Sequence, residues 1–142
     1  MMDISLRAFR FEQDYPVVID LWNRCGPGVQ VRKSDDPEEI KKKLERDPDL
    51  FVVAEHQGRV VGTVLGGFDG RRGMIYHLAV EPGFRVHGVG GMLMQEVEAR
   101  LLRKGCIKAY LLVTNENEEV IPFYEKRGWQ EMKLHMLGKN LS

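Results

Sequence analysis

The sequence predicts a single mixed α/β domain with six strands and four helices in the order βααβββαβαβ. Two patterns predict it: segments with strand and helix periodicity alternate along the chain, and Gly or Pro stands between them. Length is the third observation, because 142 residues lie in the usual range of one domain. A chain of this size buries about 68% of its surface on folding. We therefore expect one domain over residues 1–142.

The first half of the chain is predicted to hold three strands and two helices. Gly26-Pro27-Gly28 ends the first helix, and Pro37 opens the second with Asp36 as its N-cap. Gln57-Gly58 turns between two strands that form an antiparallel hairpin. The predicted strands span residues 4–10, 50–55 and 59–68, and the predicted helices span residues 13–24 and 37–46.

The second half is predicted to add three strands and two helices. Pro82 and Gly83 break its first strand, and Gly105 is the expected C-cap of a long helix with one apolar stripe. Gly128 stops the last helix. The predicted strands span residues 74–80, 107–113 and 131–137, and the predicted helices span residues 88–104 and 117–127.

Charge and cysteine content exclude several classes of function. The 21 Lys and Arg balance the 21 Asp and Glu, which argues against a protein that binds DNA or RNA. No apolar run approaches the ~18 residues of a membrane span, and the charged N-terminus is unlike a secretory signal. Cys25 and Cys106 lack metal-ligand spacing. We therefore expect no metal, no disulfide framework and a cytoplasmic location.

The most informative segment follows the strand that Pro82 breaks. A short loop carries Arg85, Gly88, Gly90 and Gly91, and an apolar-striped helix begins there. Glycines let the backbone pass close to a ligand, and the first N–H groups of a helix have no internal partner. Such a loop binds a phosphate or pyrophosphate, and Arg85 can add a charged hydrogen bond. The alternative is a glycine-rich connection that binds nothing.

The spacing of the glycines separates the known kinds of phosphate loop. A dinucleotide-binding G-x-G-x-x-G pattern that starts at Gly88 fails, because Leu93 occupies its sixth place. No Gly-Lys-Ser/Thr follows, so the segment is no Walker loop. What remains is the short pattern Arg85-x-x-Gly88-x-Gly90, which is weak on its own.

A second segment, residues 117–129, carries a tyrosine at the edge of the expected core. Phe123 and Trp129 are expected core aromatics, and Tyr124 faces about 100° away from Phe123 on the same helix. An amphipathic tyrosine at the core edge is the commoner fate of such a residue. Asn117 is expected at the helix N-cap, which is compatible with a functional role.

Taken together, the two segments resemble the GNAT superfamily of acyl-CoA-dependent N-acyltransferases. The motifs that carry the resemblance are Arg85-x-x-Gly88-x-Gly90 and Asn117…Phe123-Tyr124-Glu125-Lys126-x-Gly128-Trp129. The strand Leu78-Ala79-Val80 before Glu81-Pro82 is similar to the superfamily's fourth strand, and the element order matches over essentially the whole chain. A narrower resemblance to the small bacterial YpeA-like acetyltransferases rests on Leu21-Trp22-x-x-Cys25, Phe68-Asp69-Gly70 and Arg103-x-Gly105-Cys106.

This resemblance implies a fold in which the fourth and fifth strands splay apart around the pantetheine arm of acetyl-CoA. It implies that a backbone N–H of the fourth strand polarises the thioester and that the glycine loop holds the pyrophosphate. It also implies that Asn117 hydrogen-bonds the pantetheine arm and that Tyr124, as the catalytic residue, protonates the departing thiolate. The implied acetyl-CoA-binding residues are Leu78, Ala79, Val80, Arg85, Val86, His87, Gly88, Val89, Gly90, Gly91, Asn117 and Tyr124.

No general base is assigned by the resemblance. Some members carry Glu at the position of Leu112, and others carry acids or His at the positions of Met74 and Tyr76. His77 is expected on the opposite side of the strand from Tyr76, as a core or interface histidine. A water chain, or an acceptor amine with a lowered pKa, could also deliver the neutral nucleophile.

The implied function is direct acetyl transfer from acetyl-CoA to a primary amine of a small molecule, peptide or protein. A non-catalytic acyl-CoA-binding or sensing module on the same fold is the alternative. A nucleotide-dependent oxidoreductase is disfavoured by Leu93 and by the antiparallel strands before the loop. Acceptor specificity is expected from residues 21–39 and the turn at residues 69–73. The expected partners are acetyl-CoA and the amine acceptor. Neither a nucleic acid nor a membrane is expected as a partner, and the sequence leaves open whether the protein forms a homodimer.

Overall fold

The computed structural model of the protein describes residues 3–26 and 28–142. Pro27, which was predicted to help end the first helix, lies outside the described residues. The chain divides into two compact units, Met1–Leu112 and Val113–Ser142, and each is described by itself. The prediction of one domain over the whole chain stays a prediction.

The first unit contains most of the regular structure. Short 3₁₀ turns at Lys33–Asp35 and Pro82–His87 connect its elements. Its strands are β1 (Ser5–Ala8), β2 (Phe51–His56), β3 (Arg59–Phe68), β4 (Gly73–Ile75), β5 (Ala79–Val80) and β6 (Ala109–Leu111). Its helices are α1 (Phe11–Arg24), α2 (Pro37–Arg46) and α3 (Val89–Arg103).

The strands form one sheet in the order β1-β2-β3-β4-β6, and β5 pairs with β3 beyond the end of β4. All of the described pairings are antiparallel except that of β4 with β6. The sheet is therefore mixed, and the predicted α/β fold class is confirmed. Asp36 stands at the N-cap position of α2 as predicted, but its side chain makes no capping hydrogen bond.

Helices cover both faces of this sheet. On the α1 face, the rings of Trp22 and Phe51 stack with 5.8 Å between centroids. On the α3 face, a Cβ added to Gly66 would lie 2.8 Å from the Val97 side chain, so a glycine is needed where α3 packs on β3. Residues on β3 therefore face different helices: Gly66 faces α3, and Thr63 faces Trp22 of α1.

The predicted strand at residues 74–80 is interrupted, which corrects the sequence reading. Ile75 pairs with Gly66, and Ala79 pairs with Thr63. The two paired residues are four positions apart on this strand but only three positions apart on β3. This one-residue excess is the property of a β-bulge, which redirects side chains and increases the local twist. Residues 76–78 therefore leave the regular ladder, although the Tyr76 N–H still donates to the Leu65 carbonyl at 2.7 Å.

The interruption also separates two neighbouring strands. β4 pairs in parallel with β6 up to the partners Ile75 and Leu111. Beyond them β5 pairs with β3, and no pairing of β5 with β6 occurs among the described residues. The splay that the resemblance implied is therefore present in the first unit, after Ile75.

The second unit holds the predicted last helix but not the predicted last strand. The helix appears as a 3₁₀ turn, Asn115–Val120, followed by α4 (Ile121–Glu125). The strand predicted at residues 131–137 was wrong: its residues have no regular structure, and Leu134 and Leu137 are exposed. Alternation of Met132, Leu134 and Met136 is typical of a half-buried strand, but a strand needs a partner edge, and the described part of this unit contains none.

Candidate functional site

The glycine loop (residues 85–91) leads directly into α3. Gly88 is the N-cap of this helix and has φ = +77°, a conformation that side chains with a Cβ rarely adopt. No side chain caps the helix start, and its first turn contains no acidic residue. The partial positive charge of the helix start is therefore not neutralised by these neighbours, and it can bind an anion.

The predicted cofactor-binding side chains of this segment differ in their exposure. Val86 is 87% exposed, and His87 is also exposed, with its ring 6.4 Å from that of Phe84. Val89 and Gly90 are buried, so the helix start is anchored while the loop before it faces solvent. The Val86 side chain therefore packs little against the rest of the described protein.

Arg85 connects the loop to the sheet and to α1. Its Nε donates to the Val80 carbonyl at 3.1 Å, and its Nη2 donates to the Cys25 carbonyl at 3.4 Å. A guanidinium has five N–H groups, so donors remain for an anion. The structure therefore gives Arg85 a positioning role beyond the phosphate contact that the sequence predicted.

The predicted pantetheine-binding residues lie at the splay. Leu78 is half-buried in the interrupted segment, whereas Ala79 and Val80 form β5 and are buried. One edge of β5 pairs with Gly62 and Thr63 of β3. Its other edge has no strand partner among the described residues, so its backbone groups can accept an extended ligand as an added strand.

Asn117 and Tyr124 both lie in the second unit. Asn117 adopts a non-helical conformation at a kink, and its N–H donates to the Thr114 carbonyl at 2.9 Å. The Tyr124 ring packs edge-on against Phe123 and Trp129, at 5.0 and 6.5 Å between centroids. Burial raises the pKa of Tyr124 to about 12. That these residues meet the glycine loop in one site stays a prediction.

An open pocket of about 520 Å³ on the α2 side of the sheet was not predicted. Inside it, Lys43 and Asp47 form a salt bridge of 2.5 Å. Burial, and to a lesser extent Asp47, raises the pKa of Tyr76, whose side chain is half exposed. The lining residues are Lys43, Arg46, Asp47, Gly67, Phe68, Asp69, Arg72, Gly73, Met74, Tyr76 and Tyr110. Part of the turn at residues 69–73, expected near the acceptor, therefore lines this pocket.

His77 does not face away from Tyr76, and that prediction was wrong. A Cβ added to Gly67 would meet both Lys43 of α2 and the Tyr76 ring, so Tyr76 lies on the helix face formed by α1 and α2. His77 lies on the same face, because its ring packs on Trp22 and its Nε2 bonds to Asp35. The bulge explains this, since it breaks the alternation of neighbouring side chains, and no sequence pattern revealed it.

Similarity to solved structures identifies the class of fold. Ard1 from Thermoplasma volcanium superposes with a TM-score of 0.79 at 24% identity, over 92% of this chain and 84% of that one. The PaiA N-acetyltransferase from Thermoplasma acidophilum, solved with coenzyme A, gives 0.78 at 20% identity over 94% of each chain. By its fold, the protein belongs to the mixed α/β class that these two structures share.

Sequence similarity then identifies the family. The model of the acetyltransferase (GNAT) family matches residues 15–129. Acetyltransferase ECA0875 of Pectobacterium atrosepticum is 43% identical over 139 residues, which cover 97% of this chain and 96% of that protein. Acetyltransferase SG1711 of Sodalis glossinidius is 42% identical over 140 residues, covering 97% and 96%. The chain belongs to the GNAT family of acetyltransferases and is a transferase.

The described residues contain no group of three or more His, Cys, Asp or Glu side chains arranged to hold a metal ion. None of their helices is long and apolar enough to cross a membrane.

Proposed function

We propose that the protein transfers the acetyl group of acetyl-CoA directly to a primary amine of a small molecule, a peptide or a protein. The observation that carries this proposal is the edge of β5 that has no strand partner among the described residues. This strand leads within one loop to the start of α3, which no side chain caps. An extended pantetheine arm fits the first feature, and a pyrophosphate fits the second. Acetyl-CoA carries both groups in one molecule.

Each predicted residue then has a task in binding acetyl-CoA. The backbones of residues 78–80 pair with the pantetheine arm, and one of their N–H groups stabilises the oxyanion that forms on the thioester carbonyl. The backbones of Val86, His87, Gly88, Val89, Gly90 and Gly91 cradle the pyrophosphate, and Arg85 adds charge. Asn117 hydrogen-bonds the pantetheine arm from the second unit.

Tyr124 serves as the general acid in the proposed reaction. Its pKa of about 12 keeps the hydroxyl protonated at neutral pH. The hydroxyl has no hydrogen-bond partner among the described residues, so it is available to donate. A thiolate of ordinary basicity, with a pKa near 8.5 for its conjugate acid, can take this proton when the two groups are held together.

Relatives with solved structures support the co-substrate. The PaiA N-acetyltransferase was solved with coenzyme A, and the N-acetylglutamate synthase of Neisseria gonorrhoeae was solved with coenzyme A and N-acetylglutamate. The acceptor of this chain is a separate question, because those likenesses lie at 20% and 22% identity and concern the fold. The pocket beside Tyr76 is the candidate acceptor entry.

An acceptor screen tests the proposal. Free CoA is measured after acetyl-CoA is mixed with panels of small amines, amino acids and peptides. For the best acceptor, Tyr124→Phe is expected to lower kcat about 100-fold or more, because the leaving thiolate loses its proton donor. The Kd of CoA should change less than about twofold.

Three outcomes separate the candidate functions. Binding of acetyl-CoA without release of CoA to any acceptor would favour an acyl-CoA-sensing module. No binding of acetyl-CoA would remove the proposal altogether. An unchanged kcat in Tyr124→Phe would keep the reaction and remove Tyr124 from it.

A further inference from the structure

A buried aspartate and a histidine form a pair at the interruption between β4 and β5. The Nε2 atom of His77 lies 2.9 Å from the Oδ2 atom of Asp35. Asp35 is 3% exposed, and its N–H donates to the Arg32 carbonyl at 2.8 Å. Its oxygens accept two further hydrogen bonds. The Arg32 N–H donates to the same carboxylate oxygen at 3.0 Å, and the Tyr15 hydroxyl donates to the Asp35 carbonyl at 2.7 Å. The carboxylate is therefore fixed before any ligand arrives.

The imidazole ring of His77 is also fixed. It packs on Trp22 with 4.4 Å between centroids. Trp22 is in turn anchored by its Nε1–H, which donates to the Thr63 hydroxyl at 2.9 Å. A ring held between a carboxylate and an indole keeps one orientation, and this arrangement favours the tautomer with its proton on Nε2.

The second ring nitrogen of His77 is left with a free lone pair. Nδ1 has no hydrogen-bond partner in residues 3–26 and 28–142, and the side chain is 19% exposed. Nδ1 is not one of the fully buried side-chain atoms without a hydrogen-bond partner in this part of the chain, so part of its surface is accessible. In the Nε2–H tautomer, Nδ1 is a proton acceptor that faces solvent-accessible space.

The pair lies where the two substrates are expected to meet. Residue 77 directly precedes Leu78, at the start of the backbone proposed to bind the thioester end of pantetheine, and consecutive Cα atoms are about 3.8 Å apart. Trp22 and Asp35 belong to residues 21–39, which the sequence predicted as the acceptor segment. His77 is thus one point at which the acceptor segment contacts the strand of the thioester, beside the contact of Cys25 Sγ with the Val80 carbonyl.

Other groups on this face are poorer proton acceptors. Asp47 is bound to Lys43 in a salt bridge, and the raised pKa of Tyr76 keeps its hydroxyl protonated at neutral pH. Leu112 replaces the Glu that some family members carry, and it cannot accept a proton. Only the pair of His77 and Asp35 combines a free lone pair with a fixed counter-charge among these groups.

We propose that His77 is the general base of the acetyl transfer and that Asp35 is its positioning residue. The proposal rests on the proposed function. An acceptor ammonium gives one proton to Nδ1, and the freed amine attacks the thioester carbonyl carbon. The new C–N bond forms first, and the carbonyl oxygen becomes the oxyanion. Collapse of this intermediate breaks the C–S bond, and the thiolate takes a proton from Tyr124. The positively charged nitrogen of the new C–N bond returns a proton to Tyr124 and becomes the neutral amide nitrogen, and the imidazolium releases its proton to solvent.

The kinetic test compares His77→Gln and Asp35→Asn with wild type, and His56→Gln serves as a matched histidine control. Among the described residues, His56 forms a hydrogen bond with the Asp3 carbonyl and a ring contact with Phe84, and it lies outside the proposed pair. With the best alkylamine of the acceptor screen, His77→Gln should lower kcat about 100-fold or more, with little change in KM. With hydroxylamine, which is largely unprotonated at neutral pH, the loss should fall below about fivefold, because no base is needed.

Asp35→Asn should show the same difference between the two nucleophiles, because an amide allows the wrong tautomer of His77. A merely structural contact would lower both rates equally, or would lower the melting temperature and leave kcat unchanged. Either result would overturn the proposal. The same holds if His56→Gln reproduces the loss, because the effect would then not be specific to His77.

A ¹⁵N NMR spectrum of the imidazole rings tests the pair without an acceptor. At pH 7.5 with CoA bound, His77 should carry its proton on Nε2, and Asp35→Asn should shift this tautomer. A proton on Nδ1 would exclude a base at that atom, whatever the kinetics show. If wild type acetylates no amine, the proposed function fails by itself, and the spectrum still decides whether the pair is built as inferred.

Discussion

The β2–β3 hairpin and the interrupted β4–β5 segment depart from a regular ladder in different ways. In the hairpin, the register shifts at Ala54/Glu55 and pairing continues on both sides of the shift. Phe51 through Ala54 are buried and apolar. Between β4 and β5, three residues leave the ladder, and two polar side chains, Tyr76 and His77, face the same side.

The two irregularities have different consequences. The register shift between β2 and β3 leaves both strands packed between α1 and α3 and paired with each other. The interruption after Ile75 instead ends the parallel pairing with β6, and the outer edge of β5 has no strand partner within residues 3–26 and 28–142. We therefore expect substitutions in the hairpin to change stability, and substitutions around the interruption to change turnover or ligand binding.

Phe51→Ala should give the largest effect and test the hairpin as the packing region. The ring stacks on Phe9 at 4.0 Å and on Trp22 at 5.8 Å, so its loss leaves a cavity in the core. The free energy of unfolding should fall by about 3–5 kcal/mol, measured by urea denaturation. A loss below about 1 kcal/mol would contradict the assignment of this region to stability.

Asp14→Asn should have the second-largest effect on stability. Asp14 belongs to a network of charged side chains beside the register shift of the hairpin. Arg7 bonds to Asp14 at 2.7 Å and to Glu55, and Asp14 also accepts the Arg10 N–H at 2.7 Å. Removal of one partner of a largely buried ion pair costs about 3 kcal/mol. Chemical denaturation at pH 7 measures this loss.

The pH dependence of the same variant gives a second readout. Burial alone would raise the pKa of Asp14, but the hydrogen bonds from Arg7 and the Arg10 N–H outweigh it and lower the pKa below 3.8. A lowered carboxyl pKa stabilises the fold above its unfolded value and loses that contribution as pH falls through the folded value. The difference between wild type and Asp14→Asn should therefore shrink below about pH 4. A constant difference down to pH 2 would contradict this.

Thr63→Val tests the link between the two regions. Thr63 is fully buried in β3 and accepts the Trp22 Nε1–H, which supports the ring of His77. Loss of the acceptor leaves a buried donor unpaired and should cost about 1–3 kcal/mol of unfolding free energy. Thr63→Ser keeps the hydroxyl and is the control. If Thr63→Ser loses as much stability as Thr63→Val, the fit of the side chain in its buried site and not the hydrogen bond explains the loss.

Arg85→Ala should have the smallest free-energy effect of these variants. Arg85 bonds to the Val80 carbonyl at the end of β5. The variant loses the hydrogen bonds to the Val80 and Cys25 carbonyls and one charge beside the helix start. We expect the Kd of CoA, measured by calorimetry, to rise about tenfold, or ~1.4 kcal/mol. Val86→Ala is the neighbouring control, and it should leave the Kd within about twofold because its side chain is 87% exposed. Equal effects in both variants would count against a specific role for Arg85.

Much of this protein was determined by local sequence patterns. Periodicity located α2 at Pro37–Arg46 and β3 at Arg59–Phe68 with the observed bounds, and Gln57-Gly58 marked the turn of the hairpin, where both residues have positive φ. The glycine loop and the helix after it were also found, because they depend on Gly88 and on a local apolar stripe. Such features involve residues close in sequence, so composition and spacing are enough to reveal them.

The tertiary structure decided what depends on neighbours distant in sequence. The strand predicted at residues 131–137 has the right alternation, but it finds no partner edge in its unit. The bulge after Ile75 follows from pairing with β3, and it turns His77 toward Asp35, 42 residues earlier in the chain. Side-chain direction in a strand is set by register, and register is a property of two strands together. For that reason the candidate base could be recognised only after the chain had folded.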